Sequence, residues 1–343
     1  MTSRTISDLK SQIQNSFAGL AACLFLIAPA VAQDRVVLKR GDGRITVTGV
    51  VEDYTGRQIT IRSPQGNSVN NYDAAEILEI ETPQTERHAR GLKLLAEQQF
   101  EPALRELEVA LKDEKRLWVR REILALLVKG ALRVGDYAAA GMRFVALHDS
   151  DPTTRHFKLI PLIWGPQPVS ELLRTDAQTW LYRESDASRL LGASVLLFDA
   201  KSAEAARGEI KELSSSPDTR VRMLALAQSW RLEPTGETPG ELQLKRWQVR
   251  IDEMPEELRA GPYYLLGRAH FLRKDYELAA ATLLWLPTAD DHDHHLAARA
   301  CLEAGLALAA IGQANEAATL FREITVRFAD TPFAAEAAAR LKS

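Results

Sequence analysis

The densest run of groups able to bind a metal in this chain is Asp290-Asp291-His292-Asp293-His294-His295. Three imidazoles within four positions, His292, His294 and His295, with carboxylates beside them, are donors that suit zinc or copper. Their spacing matches no established zinc signature, and the adjacent His294 and His295 leave a helix in different directions. The competing reading is an inter-helix loop whose aspartates cap a helix beginning near Leu296. Elsewhere such chemistry is sparse. The sequence has no Gly-rich phosphate loop, no Gly-x-Ser-x-Gly, no His-Glu-x-x-His and no cysteine pair at metal-site spacing. No catalytic residue and no cofactor is expected, and metal binding by the His292–His295 loop is one alternative function.

A repeated phrase shows which elements must position that loop. It consists of a small residue, an aromatic or Ala nine positions on, Ala three later, a bulky apolar residue four later, and another apolar residue three beyond. It reads Gly91–Phe100–Ala103–Leu107–Ala110, Val128–Tyr137–Ala140–Phe144–Leu147, Gly267–Tyr276–Ala279–Leu283–Leu286 and Gly305–Ala314–Ala317–Phe321–Ile324. A weaker copy is Ser194–Ala203–Ala206–Ile210–Leu213. The four-and-three spacing places the last three positions on one helix face, and the nine-residue step spans a turn between two helices. Each hairpin leaves an apolar face that only a stacked neighbour can bury. Gly91, Phe100, Ala103, Tyr137, Ala140, Gly267, Tyr276, Ala279, Gly305, Ala317 and Phe321 are therefore expected as repeat core. Spacing of the small positions implies two further hairpins, near 155–186 and 221–259.

This phrase resembles the tetratricopeptide repeat. The stretch Phe321–Leu341, with Phe328, Asp330, Thr331, Pro332 and Phe333, is similar to terminal repeats of bacterial cell-envelope members of that family. The resemblance implies a mainly α solenoid of stacked hairpins with a groove for a protein or peptide partner. It covers 84–154 and 260–343, and 187–220 in weaker form.

Before the repeats the period changes. Alternation at Val36/Leu38, Ile45/Val47, Ile59/Ile61 and Leu78/Ile80 reads as short strands separated by Gly-bearing turns such as Pro64-Gln65-Gly66-Asn67. Ile45-x-Val47-x-Gly49-x-Val51-x-Asp53 with Ile59-x-Ile61 is similar to the first Sm motif, which implies a small barrel-like module of SH3 or Sm type. The second Sm motif is absent, and the last strand, Glu76-Ile77-Leu78-Glu79-Ile80-Glu81, puts acid where phosphate would be repelled. Nucleic-acid binding is kept as a second alternative and disfavoured.

The first residues read as an export signal: Arg4 and Lys10, then an apolar run from Phe17 to Val31, then Ala30-Val31-Ala32 before Gln33. Leu20-Ala21-Ala22-Cys23 resembles a lipoprotein box, but Cys23 lies inside the apolar run, so lipidation is disfavoured. Cleavage between Ala32 and Gln33 leaves Cys301 alone, and no internal disulfide. No further membrane-spanning segment is expected. The near-balanced net charge of −3 argues against a dedicated nucleic-acid or anionic-membrane binder.

The expected organisation is signal peptide 1–32, β module 33–82, two hairpins 83–154, degenerate helical repeats 155–259, and two hairpins with a capping helix 260–343. The expected function is a non-catalytic, periplasmic or secreted scaffold whose groove holds a protein or peptide of the cell envelope. Two features lie outside the repeat. Trp118, Trp180, Trp230, Trp247 and Trp285 are read as packing. The run Ile160-Pro161-Leu162-Ile163-Trp164-Gly165-Pro166-Gln167-Pro168 is read as a plug over a hairpin end, with a partner-docking loop as the alternative.

Overall fold

The computed structural model describes residues 33–64, 68–232, 239–290 and 292–342. The expected export signal with Cys23, the turn residues 65–67 and Asp291 lie outside the described residues. Among the described residues no helix is long and apolar enough to cross a membrane.

Five antiparallel strands come first: β1 (Asp34–Arg40), β2 (Gly43–Tyr54), β3 (Gln58–Arg62), β4 (Val69–Asp73) and β5 (Ile77–Glu81). They lie in the order β4-β3-β2-β1-β5. The long β2 serves two partners, pairing with β1 over 43–49 and with β3 over 50–54. The change of partner falls at Gly49, where a Cβ would lie 2.4 Å from the Arg62 carbonyl oxygen. Only glycine admits so close an approach of two backbones.

The inner face of this sheet is not free. Val36, Leu38, Val51, Tyr54, Ile59 and Ile61 form one core with residues of the second and third helices. Trp118 donates its indole N–H to the Val51 carbonyl at 3.1 Å. Arg121 donates to Asp53 at 2.7 Å and to the Tyr54 carbonyl at 3.0 Å. Asp151 accepts from Gly56 N–H at 2.9 Å. The sheet is thus the packed first layer of the helical array.

The array is built from α1 (Glu86–Ala96), α2 (Phe100–Asp113), α3 (Leu117–Arg133), α4 (Tyr137–Ser150), α5 (Glu171–Leu181), α6 (Asp186–Leu196), α7 (Ala203–Leu213) and α8 (Thr219–Ser229). It continues as α9 (Glu241–Asp252), α10 (Ala260–Leu272), α11 (Tyr276–Leu283), α12 (Trp285–Ala289), α13 (His294–Ala310), α14 (Ala314–Arg327) and α15 (Phe333–Arg340). Along most of the chain each helix packs on the next, giving stacked hairpins.

The repeated phrase has a geometric meaning. A Cβ at Gly91 would meet Leu107 Cγ at 2.7 Å, one at Gly267 would meet Leu283 Cγ at 2.7 Å, and one at Gly305 would meet Phe321 Cε1 at 2.6 Å. The small position of each glycine copy therefore receives that copy's bulky position across the hairpin. Ala103, Ala140, Ala279 and Ala317 are buried, as is Phe321, while the aromatic residues after the turn, Phe100, Tyr137 and Tyr276, are half-buried. Four turns share one backbone form. Gln98 (φ 58°), Gly135 (φ 74°), Lys274 (φ 68°) and Gly312 (φ 82°) are left-handed, each two residues before the second helix. The next N–H then reaches five residues back, as in Gln99 to the Leu94 carbonyl (2.8 Å) and Asp136 to the Ala131 carbonyl (2.9 Å). This is the geometry that closes a helix C-terminus.

The structure departs from the expected hairpin near 155–186. Residues 155–170 hold one short 3-10 turn, Phe157–Leu159, and otherwise run as a strap; α5 begins only at Glu171. Pro161, Pro166 and Pro168 lack the N–H groups a helix needs. The strap passes inward: Ile160, Leu162, Ile163 and Trp164 are all buried. Near 221–259 helices are present, as α8 and α9, joined by Trp230 stacked on Trp247 at 4.6 Å and 6°.

The array also closes on itself. Helix α13 packs against α3. Arg133 on α3 pairs with Asp330, after α14, at 2.7 Å. Tyr137, opening α4, donates its hydroxyl to Asp293 at 2.9 Å. One continuous core runs from α3 to α13.

Candidate binding site

The strap and the weak repeat copy create a cavity of about 1080 Å³. One wall is the strap from Ile163 to Val169; others come from α5 (Glu171, Arg174, Gln178), the end of α6 (Val195, Leu196) and α10 (Leu265, Arg268, Leu272). Trp230, Arg231 and Trp247 complete the lining, with Phe198, Asp199, Ala200 and Lys201 from the loop between α6 and α7.

Local sequence explains each wall. Where the clear copies place Gly or Val, the weak copy has Ser194, and its hydroxyl both accepts from Ile163 N–H (2.8 Å) and donates to the Ile163 carbonyl (3.2 Å). Gln228 Nε2 donates to the same carbonyl at 3.1 Å. Buried backbone groups need such partners, and here side chains of α6 and α8 supply them. Trp164 lies on Gly261, where a Cβ would be 1.9 Å from its ring. Arg299 of α13 donates to the Pro166 carbonyl. The α6–α7 connection lacks a left-handed residue, and Asp199 instead gathers the N–H groups of Lys201 (3.1 Å) and Ser202 (3.0 Å). The longer loop holds Phe198 and Ala200 at the surface.

Charge within the cavity is unbalanced. Among the described residues Glu171, Arg174, Asp199, Lys201, Arg231 and Arg268 line it, four cations against two carboxylates. Arg174 takes both carboxylates, contacting Glu171 and Asp199, the latter at 3.0 Å. Lys201, Arg231 and Arg268 have no ion-pair partner among the described residues. Arg231 is the deepest of them. Its Nη1 donates to the Ser194 carbonyl (2.8 Å) and Gln228 Oε1 (2.6 Å), and its guanidinium lies over Phe198 at 5.3 Å. The protein encloses the group and pulls its pKa down to about 9, since burial disfavours the charged form.

The histidine run is placed elsewhere and does not converge. His292 contacts Asp290, and His294 Nε2 lies 2.9 Å from Asp330. His295 packs against Gly135, where a Cβ would lie 2.7 Å from its ring. The rings of His294 and His295 are 6.3 Å apart at 76°. Burial lowers the pKa of both. Asp293 is the N-cap of α13, accepting from Leu296 N–H at 3.0 Å, and it also holds Tyr137. Among the described residues no group of three His, Cys, Asp or Glu is placed to hold a metal ion. Cys301 is buried in α13, and burial pushes its thiol up to about 12, away from reactive thiolate.

Arg231, Arg268, Phe198 and the strap residues beyond Trp164 carry the cavity, and the repeat phrase names none of the first three. The signal that points to them is negative: the weak copy at Ser194 and the loop after it mark where the period is interrupted. A scan of known protein families finds no match to the chain, and a search of curated proteins finds no matching relative.

Proposed function

We propose that this protein is a non-catalytic binding protein that holds a peptide segment of a cell-envelope partner in the cavity between α5, α6, α8, α9 and α10. One observation carries the reading: where the strap interrupts the array of stacked hairpins there is a cavity of about 1080 Å³ with aromatic, aliphatic, amide and charged walls. Such a lining suits holding a ligand by apolar contact with a few directing polar groups. The repeat resembles the tetratricopeptide family, whose arrays are scaffolds, and the sheet order agrees with an SH3- or Sm-like module. Export to the periplasm or beyond rests on residues 1–32. Because the sheet's inner face is packed on α2 and α3, the ligand is assigned to the helical part.

The test is affinity capture from a cell-envelope fraction with the wild-type protein and Ala200→Trp, a change at an exposed residue of the cavity lining. The expected result is one stoichiometric protein retained by the wild type and lost by Ala200→Trp. No reproducible partner, or equal capture by both, overturns the reading.

A further inference from the structure

The cavity's charge defines the ligand further. Of the guanidinium nitrogens of Arg231, Nη1 is committed to Ser194 and Gln228, whereas Nε and Nη2 have no partner among the described residues. That edge is a planar two-donor fork, the shape that pairs with both oxygens of a carboxylate. Arg231 is half-buried and has no carboxylate partner among the described residues; holding a cation out of water in this way is costly to the fold, and an anion supplied by a ligand would offset that cost. Arg268 and Lys201 add cationic charge to the same lining, while both of its carboxylates are already held by Arg174. Phe198 lies beside the guanidinium, and Trp164, Trp230, Trp247, Leu265 and Leu272 belong to the same lining.

We infer that the cavity selects an acidic peptide segment, in which an Asp or Glu side chain pairs with the Nε–Nη2 edge of Arg231 and neighbouring aromatic or aliphatic side chains cover the tryptophans. This rests on the cavity being the binding site. Arg231 is a selectivity residue of that site, and its role is recognition of charge. Its depressed pKa has the same origin, desolvation with no carboxylate partner among the described residues, and an acidic ligand would move it back up.

The experiment uses purified protein and two probes of one aromatic body, anilinonaphthalene sulfonate and its uncharged parent phenylnaphthylamine, read by probe fluorescence and tryptophan quenching. The blocked peptides acetyl-Leu-Phe-Asp-Phe-Leu-amide and its Asn counterpart then compete. The expected result is sulfonate bound at least tenfold tighter than the parent, with the Asp peptide displacing it at least tenfold better than the Asn peptide. Arg231→Gln removes both preferences, and Arg268→Gln weakens them. Equal binding of both probes and equal displacement by both peptides overturns the anion selectivity and leaves the cavity as the site. Binding of neither probe and neither peptide overturns both readings. Sulfonate binding that neither peptide displaces overturns the peptide and assigns the cavity to a small organic anion. If Arg231→Gln fails to fold by circular dichroism, the Asp-to-Asn comparison on the wild-type protein decides alone.

Discussion

Gly305 shows how little room the repeat leaves at a single residue. Its missing Cβ is the space that Phe321 Cε1 fills, and Phe321 has few places to go because it is part of the core of the last hairpin. Gly305→Ala is expected to destabilise the protein by about 1–3 kcal/mol, the usual cost of overpacking a filled core, measured by denaturant unfolding. Gly208, where an added Cβ meets nothing within 4 Å, is the control. Replacement by Ala at that helical site is expected to raise stability by about 1 kcal/mol, the propensity difference between the two residues. The repeat positions were legible in the sequence because each residue type answers a local demand: Gly or Ala for close approach, Leu or Phe to fill the space. Arg231 was not legible. A basic residue near a helix end is ordinarily a solvated one, and only the folding of the strap and the α6–α7 loop around it makes it a half-buried charge.

At the scale of elements, the strap most distinguishes this array from a uniform one. Its apolar composition and prolines were readable, and they support the plug reading over a free docking loop, since Ile160 to Trp164 are buried. What composition could not reveal is that the strap replaces the first helix of an expected hairpin, because spacing of small residues counts periods and not their content. The Ser194 hydroxyl is the strap's anchor on α6. Ser194→Ala leaves the buried Ile163 N–H without its partner, while the Ile163 carbonyl keeps Gln228. The expected cost is about 1–3 kcal/mol, together with faster amide hydrogen exchange at Ile163 and Trp164 and weaker binding of an aromatic probe. An unchanged exchange pattern would show that Gln228, Arg299 and the packing of Trp164 on Gly261 hold the strap without Ser194.

For the whole molecule, pH is the informative variable. His88, His148, His270, His294 and His295 have pKa values lowered from 6.5, in each case chiefly by burial. The folded state therefore binds fewer protons than the unfolded state, so their contribution is fully present above about pH 6.5 and is lost as pH falls through the folded values. Asp293 and Asp176 work in the opposite sense, since burial raises their pKa values, but they are two groups against five. Thermal stability is expected to fall between pH 7 and 5, most steeply at the α3–α13 closure, where His294 and His295 face Asp330, Asp293 and Arg133. Replacing both with Gln should flatten that dependence. An open stack of hairpins behaves as a row of coupled units, and it can fray from either end while the middle survives. Here the turn of the second hairpin is joined to the last hairpins through Arg133–Asp330 and Tyr137–Asp293. The hairpins from α3 to α14 thereby form a circuit with no loose end of their own, so loss of one of them strips packing from its neighbours on both sides. Heat should remove this protein's structure in a single step, and cutting the circuit at Tyr137 should restore the gradual melting of an ordinary row.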